Sequence, residues 1–87
     1  MAELTVSVVA ADQEVWSGTA KQIVARTTIG EIGLLAGHQP LLAVLGAGEV
    51  RITLEDGSVV KANAEDGFLS FEQDTVTIVA QNAELVS

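Results

Sequence analysis

The sequence predicts an all-β fold made of short antiparallel strands, arranged as a sandwich or a barrel. Apolar and polar residues alternate with a period of two in several short segments, which is the pattern of half-buried strands. Turn-forming residues separate these segments at intervals of about 8–12 residues, a spacing typical of sandwiches and barrels. With 87 residues, 48% hydrophobic and 18% charged, the chain has the length and composition of one folded domain.

The strands are predicted one by one along the chain. Leu4, Val6 and Val8 alternate with hydroxyl side chains, and the same kind of alternation predicts further strands at residues 23–26, 50–54 and 75–80. The apolar run at 41–45 has the length of a strand, and it predicts either a buried strand or a partly exposed contact surface. Phe68 and Phe71 point to opposite faces if residues 67–71 form a strand.

Turns are predicted between these segments. Asp56-Gly57 gives the strongest hairpin signal, because this pair favours positive φ angles in a two-residue turn. Glu65-Asp66-Gly67 and Gln73-Asp74 are two further predicted turns. Residues 81–86 are ambiguous, since they could begin a helix but end before a second turn is secure.

The composition excludes several classes of function. The formal net charge is −8, and the basic residues Lys21, Arg26, Arg51 and Lys61 are scattered along the chain, so we expect no nucleic-acid partner and no binding to anionic lipid. There is no cysteine, which excludes a disulfide framework and a thiolate metal site. The uncharged run at 32–48 is slightly too short to cross a bilayer and predicts a loop followed by a buried strand. We therefore expect a soluble, intracellular protein without lipid insertion.

The residues give little support for a catalytic function. His38 is the single histidine, and its sequence neighbours offer no carboxylate, so a contact role is favoured over a metal ligand. The pairs Glu55-Asp56 and Glu65-Asp66 lie beside glycine and are predicted to be solvated turn residues. Trp16 is predicted to pack in the core or a hairpin. The prediction is no catalytic residue, no metal and no cofactor. The alternative is a small β-sandwich ligand-binding module, or a minor enzyme that uses His38 as a base.

The segment at 30–42 carries a resemblance to a known family. It contains Gly30-Glu31-Ile32-Gly33-Leu34 followed by Gly37-His38-Gln39-Pro40-Leu41-Leu42. This resembles the G-E-[IL]-G-[IL]-x-x-G-H-x-P-[LM]-L stretch of the N-terminal domain of the epsilon subunit of bacterial F-type ATP synthases. The opening Val8-Val9-Ala10-Ala11-Asp12 with Trp16-Ser17-Gly18, and the strands around 48–52 and 67–78, are also similar. The resemblance spans essentially the whole chain, and its details look actinobacterial.

The resemblance implies a two-sheet antiparallel β-sandwich of about ten short strands. It implies a non-catalytic rotor subunit in the central stalk, which docks the gamma subunit onto the polar loops of the c-ring and couples proton flow to ATP synthesis. The alpha/beta head would be an indirect partner, and the site would be the cytoplasmic side of the bacterial membrane. By position, the gamma contacts are His38, Leu42, Ala43 and Ala10. The c-ring contacts are a loop holding Thr28, Ile29, Gly30 and Glu31.

Two departures from the family pattern stand out. Most members continue into a C-terminal helical hairpin that restrains ATP hydrolysis, whereas this sequence is expected to form one domain over residues 1–87 without it. Restraint of hydrolysis and nucleotide sensing are therefore not assigned to it. Ala36 stands where many members have proline, which concerns the rigidity of the loop before His38.

Overall fold

Every regular element in the computed structural model is a β-strand. The structure describes residues 3–11, 13–46 and 48–86. The strands are β1 Leu4–Ala10, β2 Gln13–Ala20, β3 Gln22–Thr27, β4 Gly30–Leu35, β5 Leu41–Leu45, β6 Gly48–Thr53, β7 Val59–Glu72 and β8 Thr75–Val86. Over these ranges no helix is long and apolar enough to cross a bilayer.

The pairing of β7 divides the strands into two layers. One edge of β7 pairs with β8 over nearly its whole length, while the other edge pairs first with β6 and then with β5. The first layer therefore has the order β2-β1-β8-β7-β5, and the second has the order β8-β7-β6-β3-β4. The long strands β7 and β8 run through both layers and connect them.

The crossing point of β7 is visible in its burial pattern. Ala62 and Ala64 are buried before the crossing, whereas Leu69 and Phe71 are buried after it, so the inward-facing positions change from even to odd numbers. Asp66 lies between them at a φ of 56°, a conformation uncommon outside glycine. A Cβ atom on Gly67 would overlap the carbonyl oxygen of Val79, so glycine is required for this close approach.

The core lies between the two layers and draws on both. It contains the inward side chains of alternate strand positions, among them Leu4, Val6, Val8, Leu69, Phe71, Val76 and Ile78 from the first layer and Ile23, Ala25, Leu34, Val50 and Ile52 from the second. Trp16 packs partly buried against this cluster, as the sequence predicted. Burying these apolar surfaces is the main term that favours folding.

The prediction of an all-β sandwich is confirmed, with differences in its strands. The described residues form eight strands and not about ten short ones, because β7 and β8 have 14 and 12 residues and each serves both layers. The sheet is not wholly antiparallel, since β1 and β8 pair in parallel. The predicted turn at 65–67 is wrong: these residues continue β7 through its bend. The ambiguous residues 81–86 are strand, and residues 32–35 of the predicted loop belong to β4.

Two predicted hairpins are present, one with a different turn. Gln73 and Asp74 have φ angles of 49° and 57°, as a type I′ turn requires at both central positions. The Asp56-Gly57 hairpin joins β6 to β7, but its loop has a third residue. The Gly57 amide donates to the carbonyl of Leu54 at 3.0 Å, so Glu55 and Asp56 form the turn and Gly57 follows at a φ of 90°.

Candidate functional site

An apolar row crosses the outward face of the first layer. Val44 pairs with Phe68, Phe68 with Val79, and Val79 with Val9, so these four residues of β5, β7, β8 and β1 stand side by side on one face. We call them the apolar row. Val44 and Phe68 are 60% and 47% exposed. Leu42, two positions before Val44, is 71% exposed on the same face.

The outward face of the second layer is charged. The strand register places Arg26, Arg51 and Lys61 together on it, although they are scattered in the sequence. Arg51 lies 3.4 Å from the Glu31 carboxylate and 3.2 Å from that of Glu49. Three of the four basic residues that are scattered in the sequence thus share one face, but the interleaved glutamates keep this face from being a basic patch.

The β3–β4 hairpin ends in an apolar tip. The Thr27 hydroxyl donates a hydrogen bond to the carbonyl of Gly30 at 2.7 Å and accepts one from the Ile29 amide at 3.2 Å. These two bonds stabilise the turn. Thr28 and Ile29 are the two loop residues, and Gly30 follows at a φ of 133°. Ile29 is 91% exposed, and an apolar side chain held this far into solvent by a tight turn is suited to contact another surface.

A groove of about 430 Å³ separates this tip from β5. Its lining residues are Thr27, Thr28, Ile29, Ile32, Leu41, Leu42, Ala43 and Val44. The Thr28 amide donates to the Val44 carbonyl at 3.0 Å, which fixes the tip against the free edge of β5. Residues predicted for the two separate contacts, Thr28 and Ile29 on one side and Leu42 and Ala43 on the other, therefore line one groove.

His38 lies at the other end of β5, in a loop formed by residues 36–40, which we call the His38 loop. The loop begins with a type II turn, in which the His38 amide donates to the Leu35 carbonyl at 3.2 Å and Gly37 has a φ of 89°. The Gly37 amide donates to the Asp74 carboxylate at 2.7 Å. The His38 ring is exposed and packs edge-on against Phe71, with the ring centroids 5.5 Å apart.

The predicted contact residues do not all share one face. Leu42 points outward, whereas Ala43 pairs with buried Leu69 and lies on the inward side of β5 beside the groove. Ala10 is half-buried at the end of β1, where it pairs with Ala80. Gly30 and Glu31 are the first two residues of β4 and do not lie in a loop as predicted, and Arg51 of the same chain faces Glu31.

The sequence reasoning did not single out Val44, Phe68 or Val79 as surface residues. One signal was available for Phe68, because its position has the opposite parity to that of Phe71 and was expected on the opposite face. Phe71 is buried and Phe68 is exposed, so that expectation is confirmed. Val44 and Val79 carried no such signal, since a valine within an apolar or alternating run is compatible with either face.

The electrostatics and chemistry of the surface favour packing over catalysis. The Glu31–Arg51 pair is about half exposed on both sides, and such pairs contribute about 0–1 kcal/mol. The His38 Nδ1 lies 2.7 Å from the Gln39 carbonyl, a main-chain partner and not the carboxylate that commonly orients a catalytic histidine. Among residues 3–11, 13–46 and 48–86, no three acidic or histidine side chains group as metal ligands.

A contiguous exposed apolar surface on one face of a small sandwich, opposite a charged face, is typical of a protein–protein docking domain. The chain belongs to the family described as "ATP synthase, Delta/Epsilon chain, beta-sandwich domain", whose model matches residues 3–86. The family prediction made from the motif at 30–42 is thereby confirmed. As a member, the chain is a non-catalytic subunit of a rotary ATP synthase, part of a membrane-associated complex.

Relatives agree with this assignment. The chain is 54% identical over 84 residues to the ATP synthase epsilon chain of Streptomyces coelicolor, covering 97% of this chain and 68% of the relative. It is 51% identical over 85 residues to the epsilon chain of Micrococcus luteus, covering 98% and 93%. A chain in the cryo-EM structure of Euglena gracilis mitochondrial ATP synthase superposes with a TM-score of 0.91 at 24% identity, covering 98% of this chain and 54% of that one. The last likeness concerns the fold.

Proposed function

We propose that this domain links the gamma subunit to the polar loops of the c-ring within the central stalk, and turns with them so that proton flow is coupled to ATP synthesis. It acts on the cytoplasmic side of the bacterial membrane, and it influences the catalytic alpha/beta head only through gamma. The observation that carries the proposal is the continuity between the apolar row, the groove and the β3–β4 tip. A coupling element must hold two partners at once, and one continuous surface offers both contacts.

The gamma contact is assigned to the outward face of the first layer. Leu42, Val44 and Phe68 are partly exposed there, and burying the remaining apolar surface of each contributes about 1–2 kcal/mol before the costs of association. Leu42 pairs with Ser70, and Ser70 pairs with Thr77, so the row beside the apolar row carries hydroxyl groups and no charge. Charge-poor centres are a property of protein interfaces.

The His38 loop lies next to this face, at the other end of the edge strand β5. His38 is exposed there, with its ring packed on inward-facing Phe71. Its loop is held by the hydrogen bond from the His38 amide to the Leu35 carbonyl and by the bond from the Gly37 amide to the Asp74 carboxylate. A preorganised contact loop loses less conformational entropy on binding. We therefore include His38 with Leu42 in the gamma contact, and place Ala43 and Ala10 at its margin because both are half-buried.

The c-ring contact is assigned to the β3–β4 tip. Ile29 supplies the apolar end, and Thr28, Gly30 and Glu31 surround it. Gly30 and Gly33 have open space where a Cβ would be, so a partner's backbone can approach closely there. Glu31 can exchange its Arg51 partner for a basic group on a c-ring loop, since exposed ion pairs are weak.

The proposal is tested by calorimetry with recombinant gamma subunit. The folded parent domain is expected to bind with one-to-one stoichiometry. Leu42→Glu and His38→Asp should each weaken binding by about tenfold or more, because a charge is placed in the contact without a partner. Val59→Glu is the matched control, since Val59 is 49% exposed on the outward face of the second layer, away from the His38 loop, and its replacement should leave binding unchanged.

Three results would count against the proposal. If Leu42→Glu and His38→Asp bind gamma like the parent, the contact face is wrong. If Val59→Glu is as damaging as Leu42→Glu, gamma covers the charged face instead. If the folded parent binds neither gamma nor a gamma–c-ring complex, the docking function itself is overturned.

A further inference from the structure

We propose that Asp74 is a positioning residue that holds the His38 loop in its binding conformation. This inference goes beyond the proposed function by naming a residue outside the contact surface, and its effect on gamma rests on that proposed function. Asp74 lies in the β7–β8 turn, far in sequence from the loop that it holds. Its carboxylate accepts the Gly37 amide at 2.7 Å, a short hydrogen bond for a charged acceptor.

Asp74 is itself fixed by two further constraints. Its carbonyl oxygen accepts the Thr5 amide at 2.9 Å, which ties the turn to the start of β1. Its φ of 57° lies in the left-handed region, which aspartate and asparagine tolerate better than most residues. The type I′ turn and the Thr5 hydrogen bond thus hold the backbone that carries the carboxylate beside the His38 loop.

The hydrogen bond reaches the residue on which the shape of the loop depends. Gly37 is the third residue of the type II turn and takes a φ of 89°. Its amide is the donor that such a turn leaves free, since the turn itself is closed by the His38 amide and the Leu35 carbonyl. Holding the Gly37 amide therefore fixes the Ala36–Gly37 peptide plane, the central peptide of the turn, and so restricts the direction in which the chain continues to His38.

Variants of Asp74 separate this role from a general effect on folding. Asp74→Gly removes the acceptor but accepts a φ of 57° without strain, so the turn should survive. Asp74→Asn keeps an oxygen acceptor and tolerance of the left-handed region, and it should restore the parent behaviour. Gln73→Gly is the matched control, because it adds the same backbone freedom one residue earlier and leaves the carboxylate in place.

The experiment measures amide hydrogen exchange and gamma affinity on the same proteins. In Asp74→Gly the Gly37 amide should exchange at least about tenfold faster than in the parent, and the NMR shifts of the His38 ring should move as its packing on Phe71 loosens. Gamma affinity should fall about tenfold, because the loop must then be ordered on binding. Asp74→Asn and Gln73→Gly should stay within about twofold of the parent in both measurements.

The outcomes distinguish the two claims. Unchanged Gly37 exchange in Asp74→Gly overturns the positioning role, whatever happens to gamma. Faster Gly37 exchange with unchanged gamma affinity shows that the loop is held but that this does not assist docking, which also overturns the inference and leaves the proposed function intact. Absence of gamma binding by the parent counts against the proposed function, while the exchange data still decide whether Asp74 holds the loop.

Discussion

The two outward faces of the sandwich are made of similar strands but present opposite chemistry. On the first layer the exposed apolar residues adjoin one another, with Val44 beside Phe68 and Leu42 two positions away. On the second layer Leu35 and Val59 are exposed as well, but Gln22 and Thr53 lie between them in the same row. The difference teaches that contiguity, and not the exposure of single apolar residues, marks the docking face.

The largest effect is expected from disrupting the bend near Gly67, where β7 passes from the second layer to the first. Gly67→Ala places a Cβ against the Val79 carbonyl, which belongs to backbone and cannot move aside. The free energy of unfolding should fall by about 3 kcal/mol or more, because β7 and β8 must separate or shift in register. Chemical denaturation followed by circular dichroism would measure this.

Gly33→Ala is the control for this prediction. Gly33 is also a strand glycine, but a Cβ there meets open space. Its replacement should change the free energy of unfolding by less than about 1 kcal/mol. Equal effects of the two variants would show that the bend of β7 does not depend on the close approach of Gly67 to the Val79 carbonyl.

The second prediction compares the same substitution on both faces. Val44→Glu should weaken gamma binding by about 100-fold, since it places an unpaired charge in the apolar row beside Phe68. Val59→Glu changes a valine of similar exposure, 49% against 60%, on the second layer and should leave gamma binding within about twofold of the parent. Calorimetry measures both, and a comparable loss in both variants would remove the distinction between the faces.

A smaller effect is expected from restricting the backbone of the turn before His38. Ala36 occupies the second position of the type II turn before His38, where proline is favoured. Leu35 before it has strand conformation, which proline tolerates in its predecessor. Ala36→Pro should stabilise the domain by about 0.4–1 kcal/mol through the unfolded state. Thermal unfolding measures the gain, and a destabilised variant would show that the turn differs from the one described.

The smallest effect concerns the β6–β7 hairpin of the second layer. The hydroxyl and the amide of Ser58 both donate to the Asp56 carboxylate, at 2.6 and 2.9 Å, and lower the pKa of Asp56 below its ordinary value of 3.8. Ser58→Ala removes the hydroxyl donor, which is the larger cause, so the pKa of Asp56 should rise toward that value. An NMR titration of the Asp56 carboxyl would measure the shift.

The sign of the pH dependence follows from the lowered pKa. Asp56 contributes stability above its unfolded pKa, and this contribution is lost as the pH falls through the lower folded value. In Ser58→Ala the loss should be smaller and should occur at higher pH. Gamma binding should not change, because this hairpin lies away from the apolar row. An unchanged Asp56 titration in the variant would contradict the assigned cause.

The sequence predicts the strands better than their connections. Alternation located β1, β6 and the first half of β8, because each has one face on the core. The bend of β7 was missed because Glu65-Asp66-Gly67 has the composition of a turn, and only the pairing with β8 carries the strand through it. The extension of β8 to Val86 was ambiguous for a related reason. Its inward positions change from even to odd numbers after Ala80, so residues 75–86 do not alternate regularly.

The candidate site was predictable where a motif marks it and not where distant strands build it. His38, Leu42 and the residues of the β3–β4 tip were found through the resemblance of one continuous segment. The apolar row draws single residues from four strands, so no local pattern reveals it. The hydrogen bond between Asp74 and Gly37 forms only when the β7–β8 turn packs against the His38 loop. The spacing of the two residues in the sequence does not predict that contact.

The parallel pairing of β1 with β8 also determines when the first layer can form during synthesis of the chain. Val9 stands beside Val79, so the middle of the first layer cannot close until residues 75–80 have left the ribosome. Until then β1 and β2 can form only a hairpin, which is marginally stable alone. Such long-range pairing folds slowly. The nascent chain therefore does not present the complete apolar row to a partner until residues 75–80 have emerged.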